Sequence, residues 1–89
     1  MPRRTVYFSG HVQGVGFRFT ARQFAASYAV TGYVRNMPDG RVELVLEGED
    51  HAMEGLVNAI GERMAGYVTK VQKRPGVATG EFSRFEIRQ

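Results

Sequence analysis

The sequence predicts an α+β sandwich, one antiparallel sheet covered on one face by two helices, in the order βαββαβ with a short extra strand at the C-terminus. Three observations lead there. Apolar residues alternate in some stretches and recur at helical spacing in two others. A Met37-Pro38-Asp39-Gly40 turn joins two strand-like runs into a hairpin. Eighty-nine residues with no visible linker or repeat suffice for one core shared by one sheet and two helices, hence a single domain over residues 1–89.

Thr5 to Ser9 reads as the first strand by its β-branched and aromatic content. Phe17, Ala21, Phe24, Ala25 and Tyr28 then recur at helical spacing and form the inner stripe of the first helix. Val30 to Asn36 is the second strand. Arg41 to Glu47 is the third, with Val42, Leu44 and Leu46 facing inward and Glu43, Val45 and Glu47 forming the outward row. Gly48-Glu49-Asp50 breaks this strand, and Asp50 is expected to cap a second helix whose inner stripe is Met53, Val57, Ile60 and Met64. Tyr67 to Lys73 is a fourth strand and Arg74-Pro75-Gly76 opens a loop. Phe82 to Ile87 closes the chain, with Phe85 and Ile87 alternating. This is the order of the ferredoxin-like, split βαβ sandwich.

Composition narrows the chemistry. Without cysteine there is no disulfide, thiol nucleophile or thiolate metal site. The net charge is +3, ten of the twelve basic residues are arginine, and the signs are interspersed. Such a modest field suits a small anion. Nucleic acid would require a clustered basic face, so no nucleic-acid partner is expected. No apolar run approaches a membrane span, and Met1-Pro2-Arg3-Arg4 leads into a strand pattern, not a signal-peptide core. A cytoplasmic monomer without a membrane partner is the expectation.

The most informative stretch is Gly10-His11-Val12-Gln13-Gly14-Val15-Gly16-Phe17-Arg18, which sets glycines in the turn between a strand and a helix and an arginine at the helix start. Amides of such a turn can converge on an anion, helped by the positive helix end and a guanidinium fork. The same glycines also suit a plain tight turn with Arg18 solvated. Neither nucleotide-loop pattern fits, because G-x-G-x-x-G is not met and the G-K-[ST] ending is missing. In the expected topology the first and second strands run the same way, separated by the third. Their C-terminal ends then share one edge, roughly two spacings of about 4.8 Å apart. Arg18 and Asn36 can therefore share a small ligand.

Taken with Thr31-Gly32-Tyr33-Val34-Arg35-Asn36-Met37-Pro38-Asp39-Gly40-Arg41-Val42-Glu43, that stretch closely resembles the two signature segments of the acylphosphatase family. The resemblance runs from about Val6 to Phe85-Glu86-Ile87 and is strongest from Gly10 to Gly48. It implies hydrolysis of a carboxyl-phosphate mixed anhydride, with Arg18 binding phosphate and Asn36 positioning water. It also implies a cradle of backbone N–H groups from Gln13, Gly14, Val15, Gly16, Phe17 and Arg18. The substrate is then a small-molecule acyl phosphate, inorganic phosphate or sulfate inhibits, and neither a cofactor nor a metal is called for. The chain departs from the family around Ala65 to Val71, where a proline before the fourth strand is missing, which leaves that loop's path open.

Other roles compete at single residues. Asn36 could instead serve the turn that follows it. His11, an imidazole beside the glycine turn, offers itself as a general base, although an acyl phosphate needs none. His51 is expected on the surface, and Arg22, Arg35 and Arg41 as solvated charges. Rival readings of the whole chain are an acylphosphatase-like module of a larger carbamoyl-transferring maturation protein, a ligand-sensing domain, and an RNA-binding domain. The last would stack bases on Tyr7, against which the outward row of Glu43, Val45 and Glu47 argues by its charge.

Overall fold

The computed structural model describes residues 1–89. Its elements are β1 (Pro2–Gly10), α1 (Phe17–Ala25), β2 (Val30–Asn36), β3 (Val42–Gly48), α2 (Asp50–Arg63), β4 (Val68–Val77) and β5 (Phe85–Arg88). The sheet order is β4-β1-β3-β2-β5. β3 lies antiparallel between β1 and β2, which therefore run the same way and end at one edge, as the sequence predicts. One face of the sheet carries both helices. Val6 and Phe8 of β1, Val34 of β2 and Val42, Leu44 and Leu46 of β3 pack there against Phe17 and Ala21 of α1 and Met53, Leu56, Val57 and Ile60 of α2. Each large apolar side chain removed from water contributes about 1.5–3 kcal/mol, so this cluster is the main source of stability in a chain without disulfides.

Four expectations need correction. The sheet is mixed: β5 pairs in parallel with β2, bringing Ile87 opposite Val34 and Arg88 opposite Arg35. β4 and β5 occupy opposite edges, so the chain must cross between them, and it does so over the face away from the helices. Glu47 holds that crossing, its carboxylate accepting the Thr79 N–H at 2.9 Å and the Gly80 N–H at 3.1 Å. Phe82 follows, edge-on to Tyr33 at 5.8 Å. A strand that begins at this end of the sheet and returns beside β2 has to be parallel to it.

The second correction concerns β4, which does not stop at Lys73 but runs through Arg74-Pro75-Gly76 to Val77. It pairs only with β1, and an edge strand tolerates a proline because its outward positions have no ladder to break. Third, Glu49 and not Asp50 precedes α2; its extended backbone (φ −72°, ψ 150°) presents the carbonyl to the amides of Ala52 and Met53, both at 3.1 Å. Asp50 is the first helical residue, where its charge meets the positive helix end and pairs with Arg4. Fourth, α1 ends at Ala25, and Tyr28 reaches the core from the turn beyond it.

Gly32 shows how closely β2 and β3 approach. Its φ is +140°, and a Cβ there would lie 1.8 Å from the Val45 carbonyl oxygen. Gly32→Ala is expected to lower the unfolding free energy by at least about 3 kcal/mol. Urea denaturation measures this, and a loss below about 1 kcal/mol would show that the two strands separate without strain.

Candidate active site

The site begins where β1 leaves the sheet. Gly14 (φ +78°) and Gly16 (φ +81°) take left-handed conformations, so the chain reverses in few residues and delivers Phe17 to the core. Gly16 precedes α1 and supplies no side-chain cap. Thr20 is the first helix residue whose N–H reaches a carbonyl, that of Gly16 at 3.0 Å. None of the amides from Gln13 to Phe19 donates to a backbone carbonyl. A run of free N–H groups at a positive helix end is what an anion site requires.

These residues border a cavity of about 230 Å³, lined by Gly14, Gly16, Phe17, Arg18 and Asn36 together with Val12, Phe19, Ile87 and Gln89. Arg18 is half-buried there, and its Nη1 donates to the Arg88 carbonyl at 3.4 Å. It forms no ion pair, whereas Arg3, Arg4, Arg35, Arg41 and Arg88 all do. Asn36, the last residue of β2, lines the same cavity. The side chains that brace the turn after it are others. Asp39 accepts from the Arg41 N–H at 3.0 Å and from its Nε at 2.8 Å, and Gln13 Nε2 donates to the carbonyls of Met37 at 2.8 Å and Arg41 at 3.1 Å. The Asn36 amide takes no part in bracing that turn.

Two of the six expected cradle residues stand apart from the cavity wall. Gln13 turns its side chain to the β2–β3 turn, tying the glycine loop to the strand that carries Asn36, and Val15 packs against the core. His11 is exposed, its ring 6.5 Å from that of Tyr67, and does not line the cavity; His51 is exposed on α2. No group of three or more histidines and carboxylates is placed to hold a metal ion. Two of the three arginines expected to be solvated are instead paired: Arg35 with Glu43 at 2.7 Å, and Arg41 with Asp39 while lying 4.5 Å above the Tyr7 ring. Val12, Phe19, Ile87 and Gln89 are cavity residues that the sequence did not mark. Alternation places Ile87 in a strand, but only the parallel pairing with β2 carries it to the edge where Asn36 sits.

The outward row of β3 is not a bare acidic stripe. Glu43 and Glu47 are only 7% and 5% exposed, roofed by aromatic rings and arginines. Glu43 accepts from Arg35 Nε at 2.7 Å, from the Tyr33 hydroxyl at 2.9 Å and from the Tyr7 hydroxyl at 3.1 Å. Burial pushes the Glu43 carboxyl up, but those three bonds outweigh it and hold the group below its ordinary value of 4.5. A carboxylate depressed in the folded state contributes stability that is present above the ordinary value and lost as pH falls through the folded one. Urea midpoints should therefore fall on acidification below about pH 4.5 and fall less steeply in Glu43→Gln. Parallel curves for the two proteins would show that Glu43 carries none of the acid sensitivity.

The fold and the site together define a class: split βαβ sandwiches in which a glycine turn, an unpaired arginine and an asparagine meet at one edge of the sheet. The acylphosphatase signature matches residues 4–87, and the chain belongs to the acylphosphatase family. The acylphosphatase of Methylococcus capsulatus is 42% identical over 89 residues, covering 98% of this chain and 96% of that one. The crystal structure of acylphosphatase from Bacillus subtilis superposes with a TM-score of 0.88 at 30% identity, each chain covered in full. Full-length HypF, in its phosphate- and nucleotide-bound form, superposes at 0.89 with 29% identity over 99% of this chain but only 12% of its own.

Proposed function

We propose that the chain hydrolyses acyl phosphates to a carboxylate and inorganic phosphate, with the phosphoryl group held by Arg18 and by backbone N–H groups of residues 13–18, and water oriented by Asn36. The observation that carries this reading is an arginine without a carboxylate partner, facing a cavity bordered by free amides and an asparagine. In the reaction the water oxygen attacks phosphorus, the bond from phosphorus to the acyl oxygen breaks, and its electron pair leaves on the carboxylate. That leaving group needs no proton, so no general acid is required, and the water proton passes to a phosphoryl oxygen of the substrate. What is left for the protein is to grip, neutralise and align. Arginine, amides and one asparagine suffice. Residues 1–89 act as a single domain, a cytoplasmic monomer whose partner is the small-molecule substrate, with inorganic phosphate or sulfate as inhibitor and without cofactor, metal, nucleic acid or membrane. No helix is long and apolar enough to cross a membrane.

The purified chain, assayed in a chelator with benzoyl phosphate and separately with a phosphate monoester, should cleave only the former. Phosphate and sulfate should inhibit competitively. Failure to cleave benzoyl phosphate, or turnover that a chelator stops and a divalent metal restores, would overturn the mechanism.

A further inference from the structure

Arg18, Asn36, Gln89 and the glycine turn supply the polar part of the cavity, but its apolar walls have no part in the chemistry above. Val12 and Phe17 are already 1% and 2% exposed, so a ligand gains little further burial from them. Phe19 differs. It is 58% exposed, follows Arg18 directly on α1 and lies outside that helix's inner stripe, yet it lines the same cavity. The guanidinium of Arg22, one turn on, lies 5.9 Å from the centre of its ring and steadies it from one side. Half-buried Ile87 approaches from β5.

An acyl phosphate joins its acyl carbon to phosphorus through a single oxygen. Whatever group Arg18 holds by its phosphoryl end must therefore place the acyl end within a few bond lengths, where the side chain next to Arg18 stands. We infer that Phe19, backed by Ile87, is the acyl subsite of this cavity, and that it favours flat apolar acyl groups, aromatic ones above all. This rests on the hydrolysis reading. A benzoyl ring stacked on Phe19 covers exposed apolar surface of both partners, whereas an acetyl group is too small to do so. A tenfold selectivity corresponds to about 1.4 kcal/mol, which one aromatic pair supplies.

The test compares kcat/KM for benzoyl phosphate and for acetyl phosphate in the wild type, Phe19→Ala and Phe19→Trp, with thermal melts and phosphate inhibition constants on each. The ratio of benzoyl to acetyl should fall about tenfold in Phe19→Ala, mainly through KM, and recover in Phe19→Trp. Inorganic phosphate, which has no acyl end, should inhibit with a constant changed less than about twofold. An unchanged ratio in folded Phe19→Ala sinks the acyl subsite while leaving hydrolysis intact, and a phosphate constant that worsens in step with the ratio would show general damage to the cradle instead. Wild-type protein that cleaves neither compound sinks hydrolysis, and the subsite with it.

Discussion

Arg18→Gln is expected to abolish both the turnover of benzoyl phosphate and its inhibition by inorganic phosphate. Glutamine keeps much of the length and some hydrogen-bonding capacity of arginine but carries neither the charge nor the five-donor fork. Arginine is the only charged side chain bordering the cavity, so the neutral variant leaves a doubly anionic phosphoryl group with amide dipoles alone. Loss of an arginine that stabilises phosphoryl transfer lowers kcat by about 10³-fold or more, and ground-state binding of phosphate should fall with it. The competing role is structural: Arg18 Nη1 reaches the Arg88 carbonyl and could simply pin the last strand. That bond is long at 3.4 Å, so its loss should shift the thermal midpoint little. A variant that melts early but still binds phosphate would assign Arg18 to the scaffold.

Local chemistry made the core elements legible. β2 spans Val30 to Asn36 as predicted, and the inward rows of β3 and α2 are buried as their periodicities require, because each is decided by residues a few positions apart. Two of the four corrections, those to β4 and β5, share a cause, which is long-range pairing. Pro75 marks a loop in isolation but is tolerated in a strand that happens to be an edge, and edge status is set by β1, some seventy residues earlier. β5 is parallel because the chain must first cross the sheet, and the anchor of that crossing, Glu47, looks from the sequence like one more solvated carboxylate. The site follows the same division. Gly14, Gly16, Arg18 and Asn36 were marked by turn chemistry and by the acylphosphatase resemblance, and the topology brings them to one cavity. Phe19 and Ile87 were not, since an exposed phenylalanine on a helix and an alternating isoleucine at a chain end carry no local signal of a shared ligand.

Asn36→Ala should separate water alignment from binding. The asparagine lines the cavity with the glycine turn, and the turn that follows it is braced by Asp39 and Gln13. Removing its amide should therefore spare the fold and the phosphate cradle. If the amide holds the attacking water in line with the breaking bond, kcat should fall by about 10²-fold or more, as on removal of one preorganised hydrogen-bonding group from a transition state. The inhibition constant of phosphate should change little, because the proposed grip on phosphate comes from Arg18 and the free amides. Arg18→Gln loses both quantities and Asn36→Ala only the first, so the pair forms a dissociation that a general loss of structure would not produce. A folded Asn36→Ala protein with near-wild-type kcat would remove Asn36 from the mechanism and leave the water to be oriented by the substrate alone.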